Sequence, residues 1–353
     1  MTVVAVTGAA GRAGQRVVAR VLSDPDVERV IGLDIGRPLA SMDSRLTNIH
    51  ADVASDELGG VLDGVDTVVH LAFSSRTESD ERAAHHVNVD GTRRLLDVLD
   101  GSGATQVVAL SSAVVYGAWP NNPLPLTEDA PLRPNPEFAY AVQKAQIELA
   151  VDEWGSAAAG RTTAVLRPCV ALAEDGSSWM ARVLAAGAGL LRTADVDPPA
   201  QFVHLDDLAD AFELVRRRRL TGPFNVAPDG WVPGEEVRAL AGSAPKPRLP
   251  ESVAAKLAEW SWQFTRGPIP PGVVPYTRYP WVVANDRLKA AGWSPANTNE
   301  EAYVAGTDGS WWTMLSPRRR QEFALGVAGT GLLAVAGGVV AIVRRTLRHR
   351  TTV

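Results

Sequence analysis

Tyr140 and Lys144 stand four residues apart in "FAYAVQK", residues 138–144, in a chain with five Tyr and four Lys. Four residues is about one turn of helix, so the pair projects from one face. A Tyr hydroxyl ordinarily keeps its proton to about pH 10. A neighbouring ammonium favours the phenolate and lowers that value. A Tyr lowered in this way can take a proton from a substrate alcohol near neutral pH. Ser111 and Ser112 close the apolar run "TQVVALSS", and a Ser hydroxyl there can hold the same substrate oxygen. The hydride of that alcohol would go to a nicotinamide. A Tyr and a Lys one turn apart are also an ordinary helix surface. The chemical reading therefore depends on whether the rest of the chain builds a nicotinamide site.

The opening "TVVAVTGAAGRAGQRVVARVL" supplies its first part. Residues 2–6 read as a buried strand, and "QRVVARVL" repeats apolar residues at helical spacing. Gly8, Gly11 and Gly14 fall between them. Such a turn lets backbone approach a pyrophosphate that faces the helix N-terminus. The next strand, "VERVIGLD", ends in Asp34. An acid there accepts hydrogen bonds from both ribose hydroxyls and repels a 2′-phosphate, which favours NAD over NADP, although nearby Arg37 softens the preference. "NIHADV" is a third strand ending in Asp52 and Val53, and "VDTVVHLAF" is a fourth, continuously apolar as in a sheet covered on both faces. "SDERAAHHVNVDGTRRLLDVLDGSG" reads as a helix, "TQVVALSSAVVYG" as the fifth strand, and "PNPEFAYAVQKAQIELAVDEW" as a long amphipathic helix. Alternation of this kind predicts an α/β fold with right-handed βαβ units and a parallel, doubly wound sheet. Ligands of such sheets bind beyond the carboxyl ends of the strands. Asp34, Asp52, Ala72 and Ser112 all fall there.

These pieces carry a resemblance. "TGAAGRAG", "LD" at 33–34, "ADV" at 51–53, "HLA" at 70–72, Asn88, "SSAVVYG" at 111–117, "YAVQK", "LRP" at 166–168, "FVHLDDLADAF" and "FNVA" occur in one order over about residues 2–295. The chain resembles the extended short-chain dehydrogenase/reductase superfamily, in its NAD-dependent epimerase/dehydratase branch. The resemblance implies a Rossmann-type core with a smaller C-terminal substrate lobe. It implies Tyr140 as base, Lys144 on the nicotinamide ribose and Ser112 as the catalytic Ser. Gly8, Gly11, Arg12, Ala13 and Gly14 would meet the pyrophosphate. Asp34 would hold the adenosine ribose, and Asp52 and Val53 would flank the adenine. Leu71, Ala72 and Pro168 would line the nicotinamide side, with Asn88 also at the cofactor. Arg12 departs from the aromatic residue many members carry there. A homodimer through two long helices is a further implication.

The same resemblance narrows the reaction. Sugar-nucleotide 4,6-dehydratases carry an Asp-Glu pair after the catalytic Ser or Thr, where this chain has Ala113 and Val114. UDP-sugar epimerases carry a diphosphate-gripping Arg where this chain has Ala200, so Arg182, Arg192 or Arg216 would have to substitute. The reading is oxidation or reduction of a hydroxyl or carbonyl on a small or apolar substrate. Nucleotide-sugar epimerisation with tightly bound NAD is the alternative, and a non-catalytic NAD-binding sensor or scaffold is the third reading.

The remaining features take plainer roles. His70, His85, His86 and His204 lack metal-ligand spacing, and no metal is expected. Cys169 is expected to pack in the core and Tyr116 either to pack or to line the pocket. Asp206 and Asp207 are expected to cap a helix. The Trp residues at 260, 262, 281, 293, 311 and 312 suit a core or an apolar lining. A net charge of −5 over 353 residues gives no basic footprint for nucleic acid. A single Cys excludes an internal disulfide and suits a reducing compartment. The N-terminus lacks the pattern of a secretory signal, so the catalytic domain is expected in the cytoplasm. The expected organisation is an NAD-binding core over 1–168, a substrate lobe over 169–300 interleaved with the last core elements, and a basic-flanked apolar helix within 318–353. Its charge-free stretch 323–343 is about 31 Å long as a helix, near the thickness of a bilayer core, and suggests a membrane anchor, with an interfacial or oligomer-forming helix and a helix packed on the domain as the alternatives.

Overall fold

The computed structural model describes residues 2–74, 81–174, 197–240, 253, 256 and 271–307. The expected anchor helix at 323–343 and the whole 318–353 segment lie outside them, as do Arg182, Arg192 and Trp residues 260, 262, 311 and 312. Among the described residues no helix is long and apolar enough to cross a membrane. The elements below belong to one compact unit, Met1–Ala241 with Pro245–Asp308.

The chain runs β1 (Thr2–Thr7), α1 (Arg12–Ser23), β2 (Val27–Asp34), β3 (Leu46–His50), α2 (Gly59–Leu62), β4 (Thr67–His70) and α3 (Glu81–His85). A π-helical turn at His86–Asp90 leads into α4 (Gly91–Ser102), β5 (Gln106–Leu110), a 3₁₀ turn at Ala113–Tyr116, α5 (Ala139–Ser156), β6 (Thr162–Pro168) and β7 (Val170–Leu172). There follow β8 (Phe202–His204), α6 (Leu205–Arg217), β9 (Gly222–Val226), α7 (Gly234–Leu240), a 3₁₀ helix at Pro271–Thr277, α8 (Asp286–Ala290) and α9 (Asn299–Gly306). Seven strands form one sheet in the order β3-β2-β1-β4-β5-β6-β9. Every pairing in it is parallel. The order reverses between β1 and β4, and ligands of such sheets bind in the crevice at that point.

The strands are apolar throughout because both faces of the sheet are covered. Val4, Val6, Val69, Val108 and Leu166 pack on one face with Val17, Val21, Leu208 and Phe212 of α1 and α6. Their neighbours Ala5, Val68, Val107 and Val165 pack on the other with Leu95, Leu99, Ile147 and Val151 of α4 and α5. This is the period of two expected of a pleated strand. β7 and β8 form a separate parallel pair, Val170 opposite Phe202.

Three elements depart from the sequence reading. β5 stops at Leu110, and Ser112 instead accepts from the Val114 amide at the start of the 3₁₀ turn. β3 ends at His50, and Asp52 turns the chain by accepting from the Ala54 amide at 2.9 Å. α5 is not simply amphipathic, because its buried residues include Gln143, Lys144 and Glu148. Each of the three finds partners inside the molecule, so the pattern of apolar residues alone does not reveal that face.

α6 differs from expectation at its start. His204 Nδ1, not an Asp carboxylate, accepts from the Asp206 amide at 3.2 Å. Asp207 reaches away from the helix and accepts from the Ala296 and Asn297 amides at 2.8 and 3.1 Å. At the other end of α6, buried Arg216 bonds Asp24 and Glu213. Removing one side of a buried pair leaves an uncompensated charge. Arg216→Met is therefore expected to lower unfolding free energy by about 3–5 kcal/mol, read by urea denaturation. Adding Asp24→Asn should restore part of that loss, and no recovery would show that the guanidinium acts through packing alone.

Candidate active site

The turn from β1 to α1 is built for close approach. Gly8 has φ +70°, a region that disfavours side chains, and a Cβ there would come within 2.7 Å of the Ala72 amide nitrogen. A Cβ on Gly14 would lie 2.1 Å from the Gly8 carbonyl oxygen. These contacts draw β1, the start of α1 and the end of β4 together. Gly11 occupies the N-cap of α1 and makes no side-chain cap, and the first turn carries no acid. A helix start so arranged favours an anion.

Asp34, at the end of β2, accepts from the Ala10 amide at 2.9 Å through Oδ2 and from the Gly36 amide at 2.7 Å through Oδ1. Both bonds fix the carboxylate at the rim of a cavity of about 1000 Å³. Gly8, Gly11, Asp34, Asp52, Val53, Leu71 and Ala72 line it. A second cavity of about 310 Å³ is lined by Gly8, Gly11, Arg12, Ala13, Gly14, Leu71, Ser112, Tyr140, Lys144 and Pro168. The two share Gly8, Gly11, Leu71 and Phe73. A turn too tight for side chains, an acid at the end of β2 and two cavities meeting at the turn fit a dinucleotide laid across the reversal point of the sheet. Asn88 is the one expected cofactor residue that lines neither cavity.

On α5, half-buried Tyr140 shares the lining of the smaller cavity with Ser112. Burial pushes its phenol up to about 12, with the nearby Ser112 hydroxyl acting the other way. The expected lowering of Tyr140 by Lys144 is thus corrected. The Lys144 ammonium is directed elsewhere, donating to the Leu110 carbonyl at 2.7 Å and lying 3.9 Å from the centre of the Phe73 ring. The Lys is perturbed as well, pushed down to about 7 by burial against the opposing charge of Glu148. Phe73 also meets Tyr140 edge-on, with ring centres 5.2 Å apart.

Behind the site runs a directed hydrogen-bond chain. Thr7 Oγ1 accepts from the Leu71 and Ala72 amides at 3.2 Å each, so its proton faces His70 Nδ1 at 2.8 Å. His70 Nε2 then carries the ring proton toward Thr92 Oγ1 at 2.9 Å, and Thr92 donates to the Asn88 carbonyl at 2.5 Å. Burial, aided by the charge of Lys144, pushes His70 down to about 3 and keeps it neutral. Asn88 accepts from the Ser74 amide at 2.7 Å, and donates to the Ser74 carbonyl at 3.0 Å and to Gln143 at 2.7 Å. Asn88 therefore fixes the Phe73–Ser74 backbone against α5 rather than facing a cavity.

Sequence reasoning did not single out Phe73, Thr7, Thr92, Gln143, Glu148 or Arg167. Phe73 had a local signal, since it follows "HLA" at a strand end. The others are polar residues, each with a side-chain partner 19 or more positions away. Tyr116 is buried and donates to Asn225 at 2.8 Å, which settles it as packing. Cys169 is buried and also lines the smaller cavity, and burial raises its thiol. Trp281 and Trp293 are core residues.

A Lys pushed down to about 7 in the fold and near 10.5 when unfolded destabilises the fold below about pH 7. That penalty fades between pH 7 and 10.5, where the unfolded chain binds the extra proton and stability rises with pH. Lys144→Met should raise the melting temperature at pH 6–7, and its advantage should shrink toward pH 10. An unchanged difference across that range in thermal melts would contradict the burial cost. Gly14→Ala should abolish NADH fluorescence binding and lower the melting temperature, because backbone must shift to admit its methyl.

The model of the NAD dependent epimerase/dehydratase family matches residues 4–227. An uncharacterized protein of Mycobacterium tuberculosis is 28% identical over 253 residues, which is 69% of this chain and 67% of that protein. The UDP-glucose 4-epimerase of Streptomyces lividans is 33% identical over 245 residues, 61% of this chain and 71% of the enzyme. The solved structure of the Thermus thermophilus UDP-glucose 4-epimerase complex with NAD aligns with a TM-score of 0.63 at 23% identity, over 86% of this chain and 97% of that one.

Proposed function

The chain belongs to the NAD-dependent epimerase/dehydratase family, and from that premise we propose that it is an NAD-dependent oxidoreductase acting on a substrate hydroxyl or carbonyl, with Tyr140 as the acid–base group. When bound, NAD supplies the hydride acceptor or donor. The observation that carries the reading is the placing of the Ser112 hydroxyl and the Tyr140 phenol together at a cavity with no carboxylate among its described lining residues. Ser112 holds the substrate oxygen, and the Tyr140 phenol gives it a proton in reduction or, as phenolate, removes one in oxidation. Lys144 reaches the cavity wall from one turn further along α5 and is the group to hold a ribose hydroxyl there. Gly8, Gly11 and Gly14 would admit the pyrophosphate, with Arg12 and Ala13 beside it, and Asp34 would hold the adenosine ribose.

Elimination of water from a sugar calls for an acid and a base beside the reacting carbons. After Ser112 this chain has Ala113 and Val114, both fully buried and apolar. That supports simple transfer at one carbon over dehydration. Arg216 is withdrawn as a substitute diphosphate anchor, because it is buried with Asp24 and Glu213. The small or apolar substrate of the first reading is kept on that ground. Nucleotide-sugar epimerisation is the second reading, and the activity named for the Streptomyces lividans relative favours it.

A panel of alcohols, ketones and UDP-sugars, followed by NADH absorbance together with product analysis, separates the two. Net NADH change marks an oxidoreductase, and an inverted product without NADH marks an epimerase. Tyr140→Phe should lower kcat/KM by about 10²–10⁴-fold on the substrate found. Full turnover in that variant would remove Tyr140 from the chemistry, whereas no turnover of any substrate by the wild-type chain would favour a non-catalytic cofactor-binding scaffold. Because burial keeps the phenol protonated, the oxidative kcat/KM should climb with pH from 7 to 9 while the reductive one does not. An oxidative rate independent of pH would refute the acid–base role.

A further inference from the structure

We propose that the buried pair Glu148–Arg167 is the positioning unit of this site: it fastens Ser111 so that Ser112 faces Tyr140, and it supplies the negative charge that faces the Lys144 ammonium. The proposal rests on the reading of Tyr140, Lys144 and Ser112 given above.

Tyr140, Lys144 and Glu148 occupy successive turns of one face of α5. Each engages one of three consecutive residues at the end of β5. Lys144 donates to the Leu110 carbonyl at 2.7 Å, Ser111 donates to Glu148 Oε1, and Ser112 lines the same cavity as Tyr140. Arg167 of β6 closes the unit from the other side. Its Nη2 and Nε reach Glu148 Oε2 at 2.6 and 3.1 Å, and Nε reaches Oε1 at 3.0 Å. Its Nη1 donates to the Tyr116 hydroxyl at 2.7 Å, in the 3₁₀ turn that follows Ser112. The pair thus holds the chain on both sides of Ser112.

Packing alone does not call for these charges. Glu148 and Arg167 are each 5% exposed, and an apolar pair of similar volume commonly serves a core as well or better. A buried charge that gains no stability can instead fix one arrangement among several. Glu148 also opposes the desolvation of Lys144. Of the other ionisable groups, neutral His70 of β4 feels that charge, Tyr140, Arg12 and Cys169 line the same cavity as Lys144, and Arg167 of β6 is bonded to Glu148.

The chain has four Lys and five Tyr, few enough to resolve by selective labelling. In the full chain labelled at lysine ¹³Cε, the Lys144 resonance is identified by its loss in Lys144→Met and titrated by NMR. Glu148→Gln should lower its midpoint by roughly one pH unit, since an opposite charge one turn away is removed. Glu148→Gln with Arg167→Met, which leaves no uncompensated guanidinium, should lower it as well. A midpoint unmoved in a folded variant overturns the electrostatic role. With ¹³Cζ tyrosine, Ser111→Ala should move the Tyr140 resonance as Ser112→Ala does. A Tyr140 resonance identical to wild type in Ser111→Ala overturns the positioning role. Both signals are read without substrate, so they stand apart from the fate of Tyr140→Phe in turnover.

Discussion

An ammonium taken out of water is costly unless its protons and charge are met, and Lys144, at 3% exposure, is such an ammonium. Its partners are a strand-end carbonyl, an aromatic face and a carboxylate one turn along its helix. Those three come from β5, from the segment after β4, and from α5. Burying one cation therefore requires three elements to meet in a single arrangement, and the same meeting sets Ser112 against Tyr140. The helix that looks apolar from outside is held on the sheet by polar groups.

The sheet supplies the frame for this. Parallel strands place all their carboxyl ends on one edge, and here the ends of β1, β2, β4, β5 and β6 each contribute to the cavities. At the reversal between β1 and β4 the backbones crowd so closely that Gly8 and Gly14 have no room for a methyl. That crowding is what exposes the amide-rich start of α1. The cofactor surface and the reacting groups are thus on one edge for a topological reason and at one depth for a steric one.

Polar residues in the second layer orient what the backbone brings together. Neutral His70 joins Thr7 of β1 to Thr92 of α4 through a chain with a single proton direction. Asn88 carries that order to Ser74 and Gln143. Phe73, which touches both Tyr140 and Lys144, is held by the backbone on its C-terminal side. A neutral imidazole suits this place, because a charged one beside Lys144 would add to the cost of the ammonium.

The sequence alone determined the alternation of strands and helices, the glycine turn, Asp34 at the end of β2, and the Tyr and Lys on one face of α5. These are local features, set by periods of two and 3.6 residues and by spacing within a few turns. The tertiary structure decided the rest. It tied Asn88 to Ser74 and Gln143, sent Asp207 to the 296–297 backbone, withdrew Arg216 into an ion pair, and brought Glu148 and Arg167 under the site. It also reversed the expected perturbation, raising Tyr140 and lowering Lys144. Burial and the meeting of polar groups far apart in the chain decide all of these, and neither is a property of any short stretch of sequence.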